Sequence, residues 1–171
     1  MLLIASFDKK MKPFIKRVLL TAALAGTLDI LSAYTNGFIH THHISKKMFN
    51  YIAGGALGLK TALSGGAGVV LLGVFFHYFI AFSFTFFFFL VYRKFRFSSV
   101  NPYLMAPLYG LFVWAVMNLV VLPLSLLPSS PINFGKAVID FLILSVMIGL
   151  PVSLSANRYF VKISAYSPSV R

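Results

Sequence analysis

Apolar and polar positions follow one another along this chain in long blocks. Each apolar block has the roughly 20 residues that a helix needs to cross the hydrocarbon core of a bilayer. The four blocks are Val18 to Phe38, Gly68 to Tyr92, Tyr103 to Leu126 and Ala137 to Tyr159. This pattern predicts an all-α membrane protein, in which a bundle of four transmembrane helices forms one membrane domain over residues 1–171.

The composition agrees with lipid as the main solvent of the side chains. Hydrophobic residues make up 59% of the chain and charged residues 11%, whereas soluble domains carry about 25% charged residues. A soluble fold of this size still exposes much of its surface to water, so it cannot bury this much apolar side chain.

Basic residues predict how the helices are oriented. Eleven of the 15 Lys and Arg residues lie before the first block, after the second, or at and beyond the end of the fourth, and four lie in the two other connections. By the positive-inside rule, both termini are expected in the cytoplasm (N-in, C-in). The same clusters are expected to meet anionic lipid headgroups. The net charge of +12 leaves no separate basic face for nucleic acid once the loops are assigned.

The first outer connection has a pattern of its own. Met48, Ile52, Ala56 and Leu59 recur at helical spacing over a stretch too short to span a bilayer. The pattern predicts a short helix from Lys46 to Leu59, either lying in the outer interface or entering the membrane as a re-entrant segment. A mobile loop is the alternative.

Three polar residues lie near the middle of the first three apolar blocks, and we expect them to form an intramembrane cluster. They are Asp29, His77 and Asn118. An ionisable side chain at mid-bilayer costs about 2.5–3.5 kcal/mol, so such groups usually face the protein interior. With a rise of about 1.5 Å per residue, the predicted topology brings all three residues to a similar depth. Small residues surround Asp29 on its helix face, which favours close approach of another helix.

Two functions fit this cluster. The leading hypothesis is a structural or accessory membrane component, in which the cluster is a buried polar clasp whose interhelical hydrogen bonds contribute about 0.6 kcal/mol each. The alternative is a component of a proton-linked transporter or channel that uses Asp29, His77 and Asn118, in which case a homo-oligomer is expected, because four helices rarely form a complete transport machine.

Other chemistry has less support. His40, His42 and His43 are weak candidates for a zinc or copper site, but clustered histidines also occur by chance at membrane interfaces, and no metal or other cofactor is expected. The chain has no Cys, which excludes thiolate catalysis. A catalytic Ser/His/Asp pattern and a phosphate-binding loop are both absent. An enzyme is therefore not expected.

The third block carries a family resemblance. Its sequence Ala106-Pro-Leu-Tyr-Gly-Leu-Phe-Val-Trp114, followed by Asn118, Pro123 and Pro128, resembles the third helix of the YagU-like family of uncharacterised bacterial inner-membrane proteins. His77 with the later Phe82-Ser83 is similar to a feature of that family's second helix. The resemblance implies a multi-pass protein of the bacterial cytoplasmic (inner) membrane with no assigned biochemical role.

Overall fold

A computed structural model describes residues 2–41, 47–95, 97–128, 131 and 133–166. Within these ranges the chain is helical apart from short turns, and none of the described residues lies in a β-strand. Four helices are long and apolar enough to cross a membrane, over Met11–Ile39, Ala67–Lys94, Pro102–Leu124 and Phe134–Lys162. The prediction of an all-helical chain with four such helices is confirmed.

The helices follow one another in a simple order, with two short ones between the first two long ones. They are α1 (Leu2–Thr41), α2 (Met48–Leu57), α3 (Leu59–Ser64), α4 (Ala67–Lys94), α5 (Pro102–Leu124) and α6, which runs from Phe134 to Tyr166. Helices α5 and α6 each contain a π-helical turn, at Met117–Val121 and Ser145–Gly149. Helix α1 is longer than the predicted block, because it continues through the basic residues that precede it.

Asparagine side chains cap the starts of α5 and α6. The Asn101 side chain accepts a hydrogen bond from the Tyr103 backbone N–H at 2.9 Å, and Pro102 occupies the first helical position. Asn133 accepts one from the Lys136 backbone N–H at 3.0 Å. Each cap satisfies one of the backbone donors that the first turn of a helix leaves unpaired.

Glycines let the long helices pack closely in pairs. A Cβ atom added at Gly26 on α1 would lie 3.2 Å from the Ala81 Cβ on α4. On α5, a Cβ at Gly110 would lie 2.6 Å from the Ser145 Cα, and Gly149 on α6 approaches the Ala106 backbone as closely. Pairs α1–α4 and α5–α6 therefore approach at backbone distance, as small residues allow in membrane proteins.

Helices α2 and α3 form a helical hairpin that packs on α4. Gly58, with φ of 79°, separates the two helices. The helix predicted from Lys46 to Leu59 corresponds to α2 and ends at Leu57, Lys46 lies outside the described residues, and α3 is a second short helix that was not predicted. A positive φ suits glycine, because it has no Cβ to clash with the backbone. The buried Asn50 side chain donates hydrogen bonds to the Ala62 carbonyl at 2.8 Å and to the Gly65 carbonyl at 3.3 Å, and these bonds hold the hairpin together.

An aromatic layer fills the half of the bundle that holds the start of α1 and the end of α6. It consists of Phe14, Phe88, Phe89, Tyr92, Tyr109, Tyr159 and Phe160, so all four long helices contribute to it. The rings of Phe88 and Tyr109 lie 4.3 Å apart, and those of Tyr92 and Phe160 5.8 Å apart. Large apolar side chains such as Leu71, 69% exposed, cover the outside of the bundle, as suits contact with lipid.

Candidate functional site

A cavity of about 500 Å³ occupies the other half of the bundle, away from the termini. The second half of α1, the middle of α4, the second half of α5 and the first half of α6 form its walls, and Ile52 of the helical hairpin borders it. The walls are mainly apolar. The cavity lies at the end of the bundle that the connections α1–α4 and α5–α6 share.

The three polar residues singled out from the sequence all line this cavity. Their hydrogen bonds, however, go elsewhere. The His77 Nε2 lies 2.8 Å from the Gly26 carbonyl oxygen of α1, and the Asn118 amide donates to the Trp114 carbonyl of its own helix at 2.9 Å. In the described part of the chain, no hydrogen bond joins Asp29, His77 and Asn118 to one another.

Asp29 is the member of the cluster with the least satisfied side chain. Its backbone carbonyl accepts a hydrogen bond from the Ser32 hydroxyl at 2.7 Å. Its carboxylate faces the cavity, interacts electrostatically with His77 and forms no hydrogen bond or ion pair with any residue that the structure describes. A carboxylate removed from bulk water is costly unless a cation or donors compensate it.

Two further charged residues line the cavity. Lys136 and Asp140 are one turn apart near the start of α6, where their spacing indicates an ion pair at the membrane interface. Both border the cavity, yet they form no direct ion pair, as far as the described residues go. Their depth along α6 can be counted from the sequence. The direction in which the two side chains point depends on the rotation of α6 about its axis, which its packing on α5 determines.

Trp114 also lines the cavity. Its indole Nε1 is buried and has no hydrogen-bond acceptor among the described residues. A buried donor without a partner is uncommon in native proteins. Trp114 is the only Trp of the chain.

The π-helical turns lie beside the cavity. Asn118 is part of the turn Met117–Val121, and Ile148, also on the wall, belongs to the turn Ser145–Gly149. A π-helical turn inserts an extra residue into a helix and so changes the direction of the side chains that follow; such turns are frequent at functional sites.

The cavity is closed at one end and bordered by small, exposed residues at the other. Val113 lies at the level where the cavity meets the buried core around the aromatic layer. On α1, Ala33 and Gly37 line the cavity and are exposed. Here α1 makes few contacts with the first turns of α6, so the cavity adjoins a gap between these two helices.

The histidine candidates for a metal site cannot be placed. His42 and His43 lie outside the described residues, and so does the side chain of His40. In the part of the chain that the structure describes, no group of three or more His, Cys, Asp or Glu side chains is arranged to hold a metal ion.

Comparison with known proteins yields no match to any family model, curated protein or solved structure. The resemblance to the YagU-like family therefore stays a prediction that rests on the residues of the third helix. What the chain does has to be argued from its own cavity.

Proposed function

We propose that this chain is a multi-pass protein of the bacterial cytoplasmic membrane, with both termini in the cytoplasm, and that its cavity is the solute-binding site of a proton-linked transporter or channel component. The observation that carries the proposal is the Asp29 carboxylate, which lines a cavity of about 500 Å³ without a bonded partner among the described residues. Intramembrane carboxylates and histidines that face a cavity recur along ion and substrate pathways.

A clasp accounts less well for these contacts. A structural clasp would gain its stability from hydrogen bonds between the polar side chains of different helices. His77 joins α4 to α1, but its partner is the Gly26 backbone carbonyl and not a polar side chain. Asn118 bonds to its own helix, and the Asp29 carboxylate bonds to none of the described residues. The arrangement leaves the carboxylate available to a ligand.

The bundle favours a binding site over an open pore. The aromatic layer, in which Phe88 and Tyr109 lie 4.3 Å apart, fills the half next to the termini. A solute that reaches Asp29 from the outer side would meet this layer before the cytoplasm. Passage therefore requires movement of the helix pairs against each other or the participation of neighbouring subunits, so we expect a homo-oligomer.

Water access to the cavity is the first test, and the absence of native Cys makes it direct. Ser32 and Ser153 form a matched pair, because each hydroxyl donates to a backbone carbonyl three residues earlier, at 2.7 Å and 3.2 Å. Ser32 lines the cavity, and Ser153 is fully buried in the other half. With a water-soluble, membrane-impermeant thiosulfonate added to intact cells, we expect S32C to react and S153C to stay unmodified.

Equal reactivity of the two variants, or an unreactive S32C in folded protein, would contradict a water-accessible site at Asp29. A cationic and an anionic thiosulfonate should also differ, with the cationic reagent reacting faster at S32C, because the nearby carboxylate raises the local concentration of cations. Removing that charge by Asp29→Asn should abolish the preference.

Transport is tested in liposomes that enclose a pH-sensitive dye. Under an imposed proton gradient, liposomes with the protein should acidify faster than empty ones, and the Asp29→Asn and His77→Ala variants should return the rate to that of empty liposomes. Absence of flux for protons and for a panel of small cations and metabolites would remove the transport part of the proposal.

The structural or accessory role remains the second candidate function. The bond between His77 and the Gly26 carbonyl favours it, since this contact joins α1 to α4. The two candidates differ in what Asp29→Asn does: a clasp loses stability, whereas a binding site loses its ligand.

A further inference from the structure

We infer that the cavity binds a small organic monocation, with an ammonium group against the Asp29 carboxylate and a compact apolar body against the cavity walls. This inference rests on the proposed solute-binding function and names its substrate class. Three properties of the cavity carry it: its charge, its size with its lining, and its boundary toward α6.

The carboxylates in the cavity wall favour a cationic ligand. Asp29 and Asp140 both line it, and neither forms an ion pair with a described residue. The counter-charges are Lys136, which is exposed near the start of α6, and His77, whose ring is held by the Gly26 carbonyl. A carboxylate inside the bundle is best compensated by a cation that also donates a hydrogen bond.

The size and lining of the cavity favour an organic cation over a metal ion. A volume of about 500 Å³ is far larger than a proton or a metal ion needs, and the described residues offer no group of three metal-binding side chains. Phe84, Trp114, Met117 and Ile148 provide apolar and aromatic walls. Aromatic faces attract organic cations, and the Met side chain adapts to bodies of different shape.

The boundary of the cavity suits an amphipathic ligand. Ala33 and Gly37 line the cavity on α1 while remaining exposed, and a Cβ added at Gly37 would meet nothing within 4 Å. A ligand with an apolar body partitions into the interface of a bilayer and can enter between α1 and α6 at this level, where a fully hydrated ion would not.

The inference is tested with two probes of the same shape. The 1-aminoadamantane cation carries an ammonium group at the position where 1-methyladamantane carries a methyl group. Trp114 is the only Trp and lies in the cavity wall, so its fluorescence reports on occupancy without a label. In purified protein in lipid nanodiscs, the amine should change the emission saturably and bind at least about tenfold more tightly than the neutral probe, as expected for a charge-assisted hydrogen bond.

Two variants test whether the Asp29 carboxylate accounts for the difference in affinity between the probes. Asp29→Asn should lower the affinity for the amine at least about tenfold and leave the affinity for the neutral probe unchanged. Lys60→Gln, which removes an exposed charge on α3 outside the cavity, should leave both affinities as they are. Equal affinity of the two probes for the unmodified protein would overturn the inference, and this measurement does not depend on the folding of a variant.

The outcomes separate this inference from the proposed function. If S32C reacts with a water-soluble reagent but the amine binds no better than its neutral counterpart, the cavity is a solute site for another class of ligand and the inference fails alone. If S32C in folded protein does not react with the water-soluble reagent and the amine does not bind, the proposed function and the inference both fail. Tight binding of the neutral probe alone would assign the cavity to an uncharged apolar ligand and would also reject the inference.

Discussion

His77 and Asp29 lie in the wall of one cavity, but their side chains contribute differently to the bundle. The His77 ring bonds across the helix interface to the Gly26 carbonyl at 2.8 Å. The Asp29 carboxylate bonds to none of the described residues and instead faces the cavity. Stability and ligand binding are therefore expected to depend on different residues, although both are polar and at similar depth.

Replacing His77 by Phe should lower the stability of the bundle. Phe keeps an aromatic ring of similar size and removes the bond to Gly26, so we expect a loss of about 0.6 kcal/mol, the average for an interhelical hydrogen bond in a membrane. Asp29→Asn should leave the stability unchanged or higher, because it removes a charge that is withdrawn from bulk water and receives no hydrogen bond from a described residue. Reversible unfolding in mixed detergent micelles measures both, and a larger loss for Asp29→Asn would favour the clasp.

Close helix pairs are the main feature at the scale of elements. Helices α5 and α6 touch through Gly110 and Gly149. The π-helical turn of α5 follows Gly110, that of α6 contains Gly149, and both turns border the cavity. Tight contact of two backbones in the middle of the membrane fixes the directions of the side chains beyond it. The shape of the cavity thus depends on residues that do not line it.

Gly110→Ala should destabilise the protein by about 1–3 kcal/mol, as overpacking does in a filled interior. The added Cβ would lie 2.6 Å from the Ser145 Cα, so one helix has to move. Gly68→Ala is the matched control, because a Cβ at Gly68 meets nothing within 4 Å and Ala is the better helix former. Thermal unfolding of the two variants should shift in opposite directions; a Gly110→Ala protein as stable as the unmodified one would mean that α5 and α6 are not in backbone contact.

The helical hairpin of α2 and α3 should open when Asn50 loses its amide donors. Asn50→Asp keeps the shape and removes the bonds to the Ala62 and Gly65 carbonyls. A loss of at least 1 kcal/mol, the lower limit for a buried group left unpaired, raises the open fraction roughly fivefold. Trypsin cleavage at Lys60 in native protein should rise by that factor.

Tyr51→Phe provides the control for the hairpin, since Tyr51 is the next residue of α2 and is exposed. Its cleavage rate should equal that of the unmodified protein. Equally rapid cleavage of the unmodified protein, Asn50→Asp and Tyr51→Phe would show that the hairpin opens even with Asn50 present. The two hydrogen bonds of Asn50 would then not hold the hairpin closed.

What the sequence predicts well and what it misses have separate physical causes. The four long helices follow from apolar blocks, because every backbone polar group in a bilayer must be satisfied within the segment. The bond partner of His77 could not be foreseen, since it is a backbone carbonyl that no residue type marks. The second short helix after Gly58 was missed because glycine is common both in turns and in membrane helices, and only the backbone angle shows that the chain bends at Gly58 and continues as α3.

The cluster itself was predictable only in part. Depth along a helix follows from counting residues, so Asp29, His77 and Asn118 could be assigned to one level. Rotation about the helix axis depends on packing, and it brings Asp140 and Lys136 into the same cavity wall. Lys136 and Asp140 are four residues apart, a spacing that usually indicates a local salt bridge on a helix surface. Because that explanation needs no cavity, nothing in the sequence indicated that the two side chains lie beside one.

The whole molecule is divided along its length into two unlike halves. One half carries the start of α1 and the end of α6, the basic residues Arg93 and Lys94, and the aromatic layer. The other half carries the cavity and the helical hairpin. If the basic half faces the cytoplasm, as the positive-inside rule requires, the closed half adjoins the cytoplasm and the cavity adjoins the outer side.

This orientation is tested by two matched cysteine variants in a chain without native Cys. Lys60 on α3 and Lys94 at the end of α4 are both exposed, and each replacement removes one basic residue, which leaves the charge bias intact. A membrane-impermeant maleimide added to intact cells should label K60C and should label K94C only after the cells are permeabilised. The reverse result would place the cavity on the cytoplasmic side, so that the proposed solute would be taken up from within the cell. Labelling of both variants in intact cells would indicate a mixture of orientations, which a single bias of basic residues does not produce.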